Sequence, residues 1–150
     1  MNKINEKGKV TIGQAWQDIW KGYIDFLGTS TRAGFWWTAL FFVFGTFIIG
    51  FINGFIEGFT RGTVNPIITK SIYYVLSTII LIPLLAAATR RIKDTGLKGG
   101  LAIAFAIIYI LLRILISLDK SLLWVLIALV FEIVMIVLLC MPTNKFNKNE

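Results

Sequence analysis

Residues 35–56 (FWWTALFFVFGTFIIGFINGFI) run for 22 positions without a charged side chain. Few structures hide both the apolar surface and the backbone polar groups of such a stretch. A helix that crosses a bilayer needs about 20 mostly apolar residues. In lipid each backbone N–H and C=O must be satisfied internally, which a helix achieves within its own segment. Three further blocks repeat the pattern, at 71–89, 101–118 and 122–141. Apolar residues make up 57% of the chain, above the roughly 45–50% of soluble domains, and the excess sits in these blocks. Residues 101–141 do not read as one helix, which would reach about 60 Å across a hydrocarbon core of about 30 Å. A turn at Asp119-Lys120-Ser121 makes them two antiparallel spans.

The N-terminal part, residues 1–34, reads differently. Residues 1–10 are polar and basic and are expected to lack order. From Thr11, a reasonable N-cap, a helical period runs to Leu27. Ile12, Ala15, Trp16, Ile19, Trp20, Tyr23 and Ile24 share one face, and Gln14, Gln17, Asp18, Lys21 and Asp25 fall largely on the other. The segment 11–27 is too polar to span, and its Trp- and Tyr-rich face predicts an amphipathic helix lying in the membrane interface. The loop 28–34 follows, and then Phe35-Trp36-Trp37, an aromatic belt at the start of the first span. Pro83 withdraws an N–H from the second span and frees the carbonyl of Ile79, which predicts a kink. Pro142 ends the fourth span, and 142–150 is a polar tail. The expected fold class is thus an all-α integral membrane protein, with an interfacial helix followed by a four-helix transmembrane domain at 35–141.

Lys and Arg number 15 against 8 Asp and Glu. Lys3, Lys7, Lys9, Lys21, Arg32, Arg90, Arg91, Lys93, Lys98, Lys145 and Lys148 fall on one side of these spans, and Arg61, Lys70 and Lys120 on the other. The positive-inside rule then places both termini and the 90–100 loop in the cytoplasm. Because the cations flank apolar blocks, anionic lipid head groups are the expected partner, with no nucleic acid. A single cysteine, Cys140, and the lack of histidine exclude an internal disulfide and Ser-His or Cys-His nucleophile pairs. They also argue against a structural zinc site. No cofactor and no enzymatic activity are expected. The first 34 residues hold no apolar signal-peptide core, so the first span is expected to serve as an uncleaved anchor.

Two motifs, GTSTRAGFWW at 28–37 and RRIKDTG at 90–96, stand in order behind the aromatic helix segment WKGYIDFLG at 20–28. Together they resemble the domain-of-unknown-function 805 family of small bacterial inner-membrane proteins. The match at Arg32, Phe35, Trp36, Arg90, Arg91, Asp94 and Gly96 follows the family's order and spacing. Thr29 and Lys93 stand where that family usually has arginine and histidine. The resemblance implies the same multi-pass architecture in a bacterial inner membrane and assigns no activity.

Three groups of residues are candidates for function. Arg113 and Glu132 interrupt the third and fourth spans, and an ionisable side chain there is costly enough to mark a functional site. Counted from the Lys120 turn their depths differ by about 7.5 Å, so they are expected either to pair, as the polar site of a small oligomeric transporter or channel, or to be accommodated singly. Gly50, Gly54, Gly58 and Gly62 recur every fourth residue, which suits close helix approach either in a homodimer or larger complex or within the bundle. Arg32, Arg90, Arg91, Lys93 and Asp94 are the expected lipid- or partner-binding residues. Guanidinium forks match phosphate oxygens, although the same cations also serve simply to set topology.

Overall fold

The computed structural model describes residues 3–60, 63, 65–119 and 121–146. Five helices follow in order: α1 (Ile12–Lys21), α2 (Arg32–Phe59), α3 (Pro66–Asp94), α4 (Gly99–Leu118) and α5 (Leu122–Cys140). Among the described residues there is no strand. The last four helices are each long and apolar enough to cross a membrane. Their outward faces are apolar too. Phe47, Phe51, Phe55 and Phe59 form an exposed stacked ladder along α2. A face of this kind suits a solvent of lipid tails, against which leucine-like surface carries no hydrophobic penalty.

Thr11 caps α1 as its sequence suggests, with Gln14 closing the reciprocal box. The helix then ends at Lys21, earlier than the periodicity predicts, because Gly22 begins a turn that carries Asp25 inward. α2 and α3 are longer than the apolar blocks alone indicate. At 28 and 29 residues they measure about 42 Å and outrun a hydrocarbon core of about 30 Å. Thr31 caps Gly34 N at 3.2 Å to start α2, and Asn65 with Pro66 at the first position starts α3. The second span was expected to give way to a loop at Arg90, yet α3 continues through Arg90 and Arg91 to Asp94.

α3 is the hub and packs on each of the other four helices, while α2 does not pack closely on α4 or α5. The tight core sits at the end of the bundle that carries both termini. There Phe35, Ala87, Ile92, Ala102 and Leu139 bury one another. Residues 3–6, expected to lack order, dock into the same end: Ile4 is buried, and Asn5 bridges in parallel to Thr29. Thr29 N donates to Ile4 O at 2.8 Å and Glu6 N to Thr29 O at 3.1 Å.

α3 passes through Pro83, and the carbonyl of Ile79 that the proline deprives of its donor accepts the Tyr23 hydroxyl instead. The turn after α1 is thereby tied to the middle of α3. Removing that hydroxyl with Tyr23→Phe leaves the carbonyl without a donor and is expected to cost about 1–2 kcal/mol. The check is thermal unfolding in detergent, where an unchanged midpoint would refute the tie.

Candidate functional site

Neighbouring residues on a helix point about 100° apart, and Arg90 and Arg91 use this to face opposite sides of the terminal end. Arg90 is 1% exposed. Its Nη1 donates to the carbonyl of Gly22 at 3.2 Å, and its own carbonyl accepts from Ser30 N at 3.4 Å. Glu6, Asp25 and Asp18 surround it with negative charge. Arg91, with no exposed surface, faces α5. Its Nε donates to Leu139 O at 3.1 Å, Nη2 donates to Met141 O, and Nη1 pairs with Asp94. Asp94 also accepts Thr143 Oγ1 at 2.8 Å, while its carbonyl and that of Thr95 accept from Asn144 and Phe146. Lys93 Nζ reaches the carbonyl of Leu27. The RRIKDTG motif is therefore a staple that holds the N-terminal loop with one arginine and the C-terminal tail with the next.

The structure separates the five expected binding residues by exposure. Of Arg32, Arg90, Arg91, Lys93 and Asp94, only Arg32 is exposed. No local pattern marks the end of α3 for buried arginines, because their acceptors are backbone carbonyls of distant segments.

Asp25 and Glu6 fasten the docked N-terminal segment. Asp25, which the periodicity assigns to the polar side, is 2% exposed. Its carboxylate accepts the amides of Ile4 at 2.7 Å, Leu27 at 2.9 Å and Gly28 at 3.2 Å. Burial pushes its pKa up, but those three amides and the charge of Arg90 outweigh it and hold the group below its ordinary value of 3.8. A carboxyl with a lowered folded pKa adds stability that is complete above its unfolded value and is lost as pH falls through the folded one. Docking is thus expected to persist at neutral pH and to loosen only below about pH 3.8. Hydrogen exchange of the Ile4 amide, corrected for its intrinsic rate, reads this, and undiminished protection at about pH 2 would contradict it. Glu6 accepts Thr31 N at 2.8 Å, Thr31 Oγ1 at 3.0 Å and Ser30 Oγ at 3.2 Å.

Beneath the core lies a cavity of about 270 Å³ between α2 and the α4–α5 pair, on neither of which α2 packs closely. Its walls are Phe35, Ala39, Phe42 and Val43 of α2, Leu81 to Ile92 of α3, Ala102 to Tyr109 of α4, and Glu132, Met135, Ile136 and Leu139 of α5. Ala39, Ala88, Ala102 and Ala106 leave the space. Glu132 is half-buried at its inner end and makes no hydrogen bond or ion pair among the described residues. Arg113 is exposed on α4. Of the two alternatives the structure shows the second, with the residues accommodated singly: among the described residues it holds one ion pair, Arg91–Asp94. The offset of about 7.5 Å along the helix axes is left unbridged.

The glycine series also lands elsewhere than the spacing suggests. A Cβ on Gly50 would stand in ordinary contact with Tyr73 of α3, at 3.9 Å, whereas on Gly54 or Gly58 it would meet nothing within 4 Å, so these two seat no helix of the same bundle among the described residues. Gly62 lies outside the described residues. The close approach to α3 is at Gly45, where a Cβ would stand 3.2 Å from Ile80. Among the described residues no group of His, Cys, Asp and Glu can hold a metal ion.

No curated protein and no solved structure matches the chain. The family described as "Protein of unknown function (DUF805)" matches residues 23–149, a range that takes in the arginine staple, the cavity and all four long helices. The chain belongs to the DUF805 family.

Proposed function

We propose that this is a non-enzymatic protein of the bacterial cytoplasmic membrane that binds anionic lipid through the basic surface at its terminal end, with both termini in the cytoplasm. The observation that carries this is where the exposed cations lie. Lys3, Lys7, Lys9, Lys21, Arg32, Lys98 and Lys145 are exposed at the terminal end. Among the described residues the acidic groups there are buried or half-buried, and Glu6, Asp25 and Asp94 are bonded internally. At the opposite end Lys70 is the exposed cation among the described residues. The asymmetry supports both the orientation and the choice of head group. α1 fits an interfacial position: Ile12, Trp16 and Trp20 are exposed on its apolar side, and Trp16 rests edge-on against Phe41 of α2.

Each cation near an anionic surface is worth about 1 kcal/mol. Replacing Lys7, Lys9, Lys21 and Lys98 together by glutamine is expected to remove most of the preference for phosphatidylglycerol over phosphatidylcholine. Native mass spectrometry of the detergent-solubilised protein measures that preference. Equal binding of the two lipids by the wild type would end the proposal. A C-terminal tag open to protease in intact cells would reverse the orientation.

A further inference from the structure

We infer that the cavity between α2 and α5 holds one acyl chain of an anionic phospholipid whose phosphate is gripped by Arg32. This rests on the anionic-lipid reading above and gives it a site. Arg32, Phe35, Ala39 and Phe42 lie on one strip of α2, at helical spacings of three, four and three. The guanidinium therefore stands one turn above the cavity wall that Phe35, Ala39 and Phe42 form. It is exposed and makes no hydrogen bond or ion pair among the described residues. It is also near enough to Arg91 to feel its charge. Arg91 has no surface to offer a ligand, and its Nε, Nη2 and Nη1 already donate to Leu139 O, Met141 O and Asp94. An unpaired guanidinium beside a buried one is a place where an anion is stabilised, and a phosphate offers the matching pair of oxygens.

The cavity supplies the rest of the amphiphile's site. It runs along the helix axes from Leu139 to Glu132, about 10 Å, and its walls are apolar between those points. α2 packs closely on neither α4 nor α5, which leaves a side by which a chain can enter from the bilayer. The direction follows from the two ends of the site: the exposed guanidinium of Arg32 stands at the terminal end and the lining inward of it is apolar as far as Glu132, so the lipid sits with its phosphate at Arg32 and its chain inward.

The test is native mass spectrometry of the full chain with phosphatidylglycerol and phosphatidylcholine of matched chains. The wild type is expected to keep one phosphatidylglycerol after the loosely held lipids are stripped. Arg32→Gln, a change at an exposed position, is expected to bring its retention down to that of phosphatidylcholine. Ala39→Phe and Ala106→Phe fill the cavity and are expected to lower retention about tenfold or more. The anionic preference of the loosely held lipids should survive, because the lysines are intact. Unfolding midpoints in lipid-free detergent show whether the filled variants still fold, and Arg32→Gln decides the matter if they do not. Retention unchanged by Arg32→Gln overturns the inference, and so does equal retention of the two lipids. A stoichiometry above one chain that falls to one on filling the cavity, with lipid retention unchanged, also overturns it, since a second copy would then be the occupant. A wild type that prefers anionic lipid but keeps none overturns the site and leaves the basic-surface proposal standing, whereas a wild type with no anionic preference overturns both.

Discussion

Arg91→Met is expected to destabilise the protein by about 3–5 kcal/mol, because it removes one partner of a buried ion pair and strands the rest of a hydrogen-bonded cluster. The guanidinium has no exposed surface and supplies donors to Leu139 O, Met141 O and Asp94. Without it the Asp94 carboxylate keeps Thr143 alone among its side-chain donors, and the end of α5 loses its tie to α3. Arg91→Lys is not expected to rescue, since an ammonium is a single point of charge and cannot reach three acceptors set in a fork. Arg113→Met supplies the contrast. That arginine is exposed in a candidate span and makes no bond among the described residues, so replacing it is expected to leave stability unchanged or raise it. Thermal unfolding in one detergent compares the three variants. Equal midpoints for Arg91→Met and Arg113→Met would show that the buried arginine holds nothing together.

The second large effect is expected at Gly28, where Gly28→Val removes the space that admits the N-terminal segment. A Cβ at this position would lie 2.8 Å from Asp25 Oδ2 and 3.0 Å from the carbonyl carbon of Ile4. Backbone cannot yield there without losing the 2.8 Å bond from Thr29 N to Ile4 O and the amide bonds to Asp25. The loss is expected to be about 2–4 kcal/mol, as for other buried overpacking combined with broken polar contacts. Trypsin should then cut at Lys3, Lys7 and Lys9 many times faster than in the wild type. Gly13→Ala, by contrast, meets nothing within 4 Å in a helix and is expected to stabilise by about 0.5–1 kcal/mol. Cleavage at wild-type rates in Gly28→Val would mean that the docked segment contributes no protection.

These two positions show where sequence reasoning stopped. Gly28 stands in the sequence as loop punctuation, and only the approach of Ile4, 24 positions earlier, explains why no side chain fits. Arg91 stands as a free cation in a basic loop, yet its acceptors lie 48 and 50 residues away, at and just past the end of α5. Tyr23 is an intermediate case. Pro83 announces a carbonyl in need of a donor at Ile79, but nothing in the spacing names the phenol that answers it. Arg113 and Glu132 were matched for depth, and depth did not bring them together.

The amino-acid sequence by itself determined four apolar helices, their order, the capped helix before them and the family. Each of these depends on local quantities: the transfer of about 20 residues into lipid, the period of apolar positions, and a cap within one turn. What tertiary contacts settled is that the arginine pair is a staple, that Arg32 is the exposed one among the five candidate binding residues, and that a cavity lies between α2 and the α4–α5 pair. Those outcomes depend on which distant carbonyls and alanines meet, and a hydrogen bond between segments is a property of both partners that neither spells out alone.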